Sequence, residues 1–300
     1  MNGFFRQMLK ANDKLYRAWL SQREKRYAFP PEVEAVLDRS YLPDGRECHK
    51  FDVFLPKNRT GKLPAVINLH GGGLVLCTRH VNRPFCAELA KRGFAVFSVD
   101  YPLTPEKDAC GILADVCEGI RYVEQRLEEY GADPDRVFFS GDSAGAFLAV
   151  YAEAARRDPR IARAAGIVPP VLPVRAMGLV SGMFYTTLCD DPGLVMCSEF
   201  YGKDWRSHPL MPWLLPDREN VAGLMPPMLL VTSRFDKLRS ATMRFARGLR
   251  QAGREVRVLD YPAHPRHRHD FVILMPEKDQ GREAVEEMAA FFAAFGQNGD

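Results

Sequence analysis

Two short segments of the sequence carry residue types suited to chemistry on a carbonyl group. Gly141-Asp142-Ser143-Ala144-Gly145 directly follows the apolar run Val137-Phe138-Phe139-Ser140 and opens a stretch of small residues. The run reads as a strand and the small residues as a helix, so Ser143 stands at a strand-to-helix turn. A serine there adopts a strained conformation that lifts its hydroxyl above the sheet, and the flanking glycines avoid collisions with neighbouring backbone. The helix N-terminus also favours negative charge nearby. A bare G-x-S-x-G is an ordinary glycine-rich turn; in this context Ser143 is the candidate nucleophile. The second segment, His70-Gly71-Gly72-Gly73, follows the apolar run from Ala65 to Leu69. Consecutive glycines let backbone N–H groups converge on one point, as stabilising an oxyanion requires. A phosphate cradle is the competing reading, but no Lys-Ser/Thr follows and there is no G-x-G-x-x-G. His70, at the strand end, reads as a structural residue that holds the loop.

These motifs need a scaffold, and the chain alternates short apolar runs with longer helical patterns. Strands are expected at Ala65 to Leu69, Ala95 to Val99 and Val137 to Ser140, and helices at Asn82 to Arg92, Leu113 to Tyr130 and Ala144 to Arg156. Such alternation indicates a parallel sheet with helices on both faces. Further strands are expected at Gly178 to Met183, Pro227 to Thr232 and Val256 to Tyr261, and helices at Ser240 to Ala252 and Gln280 to Phe295. Phe4, Met8, Leu15 and Trp19 recur at helical spacing, which suggests one or two amphipathic helices before Tyr27. Pro30-Pro31 breaks that pattern, and the regular fold is expected to begin with a strand from Cys48 to Leu55. Between about Tyr185 and Met225, Pro192, Pro209, Pro212 and Pro216 interrupt any period, as in an insertion lying over the sheet.

Composition narrows the class. Of 300 residues, 46% are hydrophobic and 26% charged, which suits a globular chain with a sizeable core. Net charge is +3 with the basic residues dispersed among acidic ones, which gives no electrostatic case for nucleic acid. Charges at Arg6, Lys10, Lys14 and Arg17 leave no signal-peptide core, and no run approaches the roughly 18 apolar residues of a membrane span. The seven cysteines (Cys48, Cys77, Cys86, Cys110, Cys117, Cys189, Cys197) lack C-x-x-C or zinc spacing. Reduced thiols in a cytoplasmic protein without a metal are the expectation.

With His70-Gly71-Gly72-Gly73, Val99-Asp100-Tyr101-Pro102-Leu103-Thr104-Pro105-Glu106 and Gly141-Asp142-Ser143-Ala144-Gly145 in that order, residues 50–295 resemble the hormone-sensitive-lipase-like branch of the α/β-hydrolases, the bacterial family IV esterases. Pro102 stands where that family usually has Arg, and Ala146 where it usually has Gly. The resemblance implies an α/β-hydrolase fold, a mostly parallel eight-stranded sheet with helices on both faces and a helical cap. Residues 1–45 would supply a cap segment, and 46–300 the catalytic domain, with a cap insertion at about 185–225. It also implies oxyanion donors from the N–H groups of Gly71, Gly72 and Ala144.

The order nucleophile, acid, histidine puts the acid after the strand Pro227 to Thr232. Asp236 matches the family's segment there; capping the helix near Ser240 is its alternative role, and Asp260 is less well placed. The loop after Val256 to Tyr261 offers His264, His267 and His269. His269-Asp270-Phe271 matches the family's H-G-F, which selects His269 and keeps His267 in reserve. Arg266 and Arg268 read as solvated loop charges, with steering of an anionic substrate as the sharper alternative. The resemblance thus implies a serine carboxylesterase acting on small-molecule esters of short acyl chains, without cofactor, and a homodimer paired through the edge strand near the C-terminus. A ligand receptor on the same fold and an amidase or peptidase are the alternatives.

Overall fold

The computed structural model describes the backbone of residues 3–187 and 193–296 and the side chains of 14–187 and 196–296. Phe4, Phe5, Met8, Cys189 and Pro192 lie outside the described side chains. The chain opens with helix α1 (Gly3–Arg26), then strands β1 (Val33–Ser40), β2 (Lys50–Pro56) and β3 (Leu63–Leu69). Helix α2 (Arg83–Lys91), β4 (Ala95–Val99), α3 (Ala109–Glu124), β5 (Ala132–Asp142), α4 (Ala144–Arg157), α5 (Pro159–Ala165) and β6 (Val174–Val180) follow. Between β6 and β7 (Met228–Ser233) lie α6 (Gly193–Tyr201) and the short α7 (Glu219–Ala222). Helix α8 (Arg239–Gln251), β8 (Val256–Tyr261), α9 (Phe271–Leu274) and α10 (Asp279–Phe295) complete the chain.

The eight strands form one sheet in the order β1-β2-β4-β3-β5-β6-β7-β8. Strand β2 runs antiparallel to both β1 and β4, and every pair from β4 to β8 is parallel. Parallel strands need crossover helices, and these cover both faces. Ile112, Val116, Leu148 and Phe245 pack from α3, α4 and α8 against one face. Phe85, Leu89, Val285 and Phe292 pack from α2 and α10 against the other. Central strands are therefore buried on both sides, which is why β3, β4 and β5 read as continuous apolar runs.

Two expectations shift. The sheet begins at Val33, inside the segment expected to be helical cap, because β1 pairs along β2 from Val33↔Pro56 to Ser40↔Lys50. As an edge strand it needs only a partly buried face, so its apolar pattern is weak. Helix α3 starts at Ala109 because the Asp108 side chain accepts the Gly111 N–H at 2.7 Å, an N-cap ahead of the apolar period.

Candidate active site

The two glycine-bearing motifs meet because their strands are neighbours: in the parallel pair β3–β5, Leu69 stands opposite Gly141. Each chain leaves its strand at the same edge, and Ser143 follows at φ 49° and ψ −113°, outside the ordinary regions for a side-chain-bearing residue. Hydrogen bonds hold this turn: Ser143 N–H donates to Val180 O and Met183 N–H donates to Ser143 O, both at 2.9 Å. Gly145 must lack a side chain, since a Cβ there would stand 2.0 Å from the Leu69 carbonyl oxygen. Helix α4 can thus start directly against the end of β3.

Beneath the serine lies a buried polar ladder. Asn82 Nδ2 donates to Asp142 Oδ1 at 2.7 Å and to Asn68 Oδ1 at 3.0 Å, and Asn68 Nδ2 donates to Ser140 Oγ at 2.8 Å. Burial, with Asp270 as a second negative neighbour, pushes the Asp142 carboxyl well above its usual range despite the Asn82 and Gly71 donors.

His70 is fully buried and structural in its contacts. Its ring stacks on Tyr101 with centroids 4.1 Å apart, Nε2 lies 2.9 Å from Asp100 Oδ1 and Nδ1 lies 2.7 Å from Gly71 O. Burial opposes ionisation of Asp100, but His70 and Arg79 hold its carboxyl below the ordinary value. Gly71, expected among the oxyanion donors, lines the same cavity as Ser143, and its backbone N–H lies beside the Asp142 carboxyl. Gly72 and Gly73, at φ +113° and +63°, line a cavity with Ser143. Ala144 opens α4, where the first N–H groups have no partner within the helix.

His269 Nε2 is 3.1 Å from Ser143 Oγ, and its Nδ1 is 3.0 Å from Asp236 Oδ1. Asp236 reaches it from the loop after β7 and also accepts the Leu238 N–H at 2.9 Å, so it orders the approach to α8 as well. Burial opposes the Asp236 carboxylate, yet the His269 hydrogen bond and charge, the Ser181 hydroxyl and the Leu238 amide hold its value low. Burial likewise disfavours the His269 imidazolium, but Asp270 and Asp236 outweigh it and raise the ring to about 10. Sequence reasoning read Asp270 only as part of a motif. Its Oδ2 lies 3.0 Å from His269 Nε2. The available signal was an aspartate where the H-G-F motif has glycine.

The other candidates are elsewhere. His267 is buried with Nδ1 3.1 Å from Pro262 O and Nε2 3.1 Å from Gln280 Oε1. His264 is exposed, Arg266 and Arg268 are exposed and do not line the Ser143 cavity, and Asp260 forms a two-point pair with Arg239 at 2.7 and 2.9 Å. The cavity measures about 410 Å³. Tyr16 and Trp19 of α1, Val75, Met196 of α6 and Leu274 give it an apolar wall. Helix α1 is fixed over it by Arg23, whose guanidinium donates to Val81 O and Ile273 O at 2.8 Å. Among the aromatic residues of the expected cap, Tyr16 and Trp19 line the cavity, whereas Trp205 and Trp213 pack against the core.

A family model described as the alpha/beta hydrolase fold matches residues 66–273, well over half of the chain. The chain belongs to the α/β-hydrolase fold family. It is 29% identical to the carboxylesterase NlhH of Mycobacterium tuberculosis over 82% of this chain and 80% of that one. It is 32% identical to a probable isoprenylcysteine alpha-carbonyl methylesterase of Arabidopsis thaliana, over 41% of this chain. The chain spans about a quarter of the length of the first curated relatives it matches. Among solved structures, this α/β-hydrolase is similar to an inhibited esterase B from Lactobacillus rhamnosis, with TM-score 0.88, 22% identity and 96% of both chains covered. It is also similar to a bacterial heroin esterase, with TM-score 0.74, 24% identity and 97% and 92% covered. Among the described residues no helix is long and apolar enough to cross a membrane.

Proposed function

We propose that this α/β-hydrolase is a serine carboxylesterase that hydrolyses short-chain acyl esters through Ser143, His269 and Asp236. The observation that carries the reading is the continuous relay from Asp236 Oδ1 through both ring nitrogens of His269 to Ser143 Oγ, with steps of 3.0 and 3.1 Å. In this reading His269 takes the Oγ proton as Ser143 attacks the ester carbonyl, and Asp236 orients the ring and stabilises its cation. The amides of Gly72, Gly73 and Ala144 receive the developing oxyanion, each contributing about 3 kcal/mol to the transition state. Collapse of the tetrahedral intermediate breaks the ester C–O bond, and the leaving alcohol takes the proton from Nε2. Water then attacks the acyl-enzyme with the same histidine as base and releases the acid.

The apolar wall supports a small acyl group, each methylene adding about 0.8 kcal/mol until the space is filled. Helix α1 and the segment around α6 act as the cap in this reading, since both contribute wall residues. In this reading the setting is cytoplasmic, where thiols are kept reduced. The test is a fluorophosphonate label mapped by mass spectrometry, together with turnover of p-nitrophenyl esters from acetate to palmitate. Labelling is expected at Ser143, and Ser143→Ala is expected to lose ester turnover by several orders of magnitude. A label on another serine, or activity retained in Ser143→Ala, overturns the assignment. Binding of esters without turnover would instead favour a receptor.

A further inference from the structure

Asp270 stands directly after His269, where the esterases this chain resembles carry glycine. Its backbone is left-handed, with φ 59° and ψ 25°, a conformation natural to glycine and tolerated by aspartate and asparagine better than by most residues. That turn folds its carboxylate back onto the ring it follows. Oδ2 reaches within 3.0 Å of His269 Nε2, the same nitrogen that lies 3.1 Å from Ser143 Oγ. A single ring nitrogen offers either one proton or one lone pair. While Nε2 carries a proton directed at the Asp270 carboxylate, it has no lone pair with which to accept the serine proton.

The surroundings strengthen this competition. Asp270 Oδ1 is buried without a hydrogen-bond partner, and Oδ2 stands 3.0 Å from Nε2 as an ion-pair contact. The charged and titratable groups that face the pair are Asp236 on the opposite ring nitrogen, Asp142 at the end of β5, Lys237 after β7, and Cys77 and Tyr16 in the cavity wall. Burial pushes the Cys77 thiol up to about 12 and the Tyr16 hydroxyl up as well, which leaves both neutral over the working range. Lys237 favours ionised Asp270, whereas burial raises the Asp270 carboxyl and burial with the nearby Asp270 charge raises that of Asp142. Three carboxyls thus act on a single imidazole, Lys237 acts on one of these carboxyls, and two of the carboxyls stand against the ring nitrogens.

We propose that Asp270 competes with Ser143 for Nε2 of His269, and that the residue at position 270 sets the pH above which this site can accept the serine proton. The proposal rests on the reading of Ser143 and His269 as nucleophile and base. Its sign follows from the protonation states: at lower pH the imidazolium is held between Asp236 and Asp270, and as pH rises the proton leaves and the base becomes available. Ester turnover therefore climbs with pH through an alkaline limb. Replacing Asp270 by an uncharged residue removes one of the two carboxylates that hold the proton and moves that limb toward neutrality.

The experiment follows the His269 ring nitrogens by ¹H–¹⁵N correlation NMR from about pH 5 to 11 in the wild type, Asp270→Asn and Asp270→Gly. The resonance is assigned by its loss in His269→Ala. The pH profile of kcat/KM for a p-nitrophenyl ester is measured on the same samples. Both substitutions suit a left-handed position, so the fold is retained, and either variant serves alone if the other is poorly expressed. The expected result is a fall of the His269 midpoint by about one pH unit or more in both variants, with the ascending limb of kcat/KM moving by the same amount. A midpoint that stays or rises overturns the role of Asp270. A midpoint that falls in a protein that turns over no ester supports the competition at Nε2 and overturns the esterase reading instead.

Discussion

His267 and His269 are two residues apart on one loop, and alanine substitution should separate a histidine that holds the loop from one that moves a proton. His267→Ala removes the ring contacts to Pro262 O and Gln280 Oε1, both 3.1 Å long. Each is a partly buried hydrogen bond of about 1 kcal/mol net. It also removes ring contacts to Phe271 and Tyr261, with centroids 5.0 and 6.0 Å away, together about 0.5–1 kcal/mol. The sum is about 2–3 kcal/mol. With an unfolding entropy of roughly 0.6 kcal/mol/K for a chain of this length, Tm should fall by about 3–5 °C. The kcat for a p-nitrophenyl ester should stay within about threefold of wild type, because no His267 atom reaches Ser143. His269→Ala removes the group 3.1 Å from Ser143 Oγ. It should lower kcat by about six orders of magnitude, close to 8 kcal/mol of transition-state stabilisation, as expected when members of a triad act as a unit. Differential scanning calorimetry and initial rates measured on the same preparations decide the matter. A severe kinetic loss in His267→Ala with its Tm unchanged, or near-normal turnover in His269→Ala, would refute the assignment of the base.

Two further outcomes follow from the same geometry. Asn82→Ala strips the 2.7 Å donor from the buried Asp142 carboxyl and should cost about 1–3 kcal/mol in urea unfolding, with an unchanged m-value; no loss would mean that the ladder under the serine is not under load. Across an ester series kcat/KM should peak between acetyl and hexanoyl and fall by octanoate or decanoate, while Met196→Ala, which opens the cavity wall, should raise the octanoate-to-butyrate ratio by about tenfold; a wild-type maximum at palmitate would show that the wall does not bound the acyl chain.

Much of this site was legible in the chain. The runs before Gly71 and Gly141 are apolar without interruption because β3 and β5 are covered on both faces, so their strand character and the turns that end them are local properties. Asp236 and the histidine loop were reachable because both follow strands whose apolar runs are equally clear. The edge strand β1 was hidden, since an outer strand buries little of its surface and Pro30-Pro31 masks its start. Other features depended on the assembled chain. The adjacency of β3 and β5, and hence the meeting of two motifs about seventy residues apart, follows from a strand order that no local pattern encodes. Packing separates His267 from His269: one ring is enclosed by Pro262, Gln280 and Phe271, and the other faces Ser143. The Gly71 backbone stands beside Asp142 because the loop folds over a buried carboxyl supplied from a different strand. Asp270 is the sharpest case, since its residue type was visible from the outset, but its effect depends on a left-handed backbone that returns the carboxylate to its own neighbour. Sequence by itself determines which groups are available and the local conformations they favour; which atoms stand within 3 Å of one another is decided by long-range packing, because distances of that size are set by every element that meets at the end of the sheet.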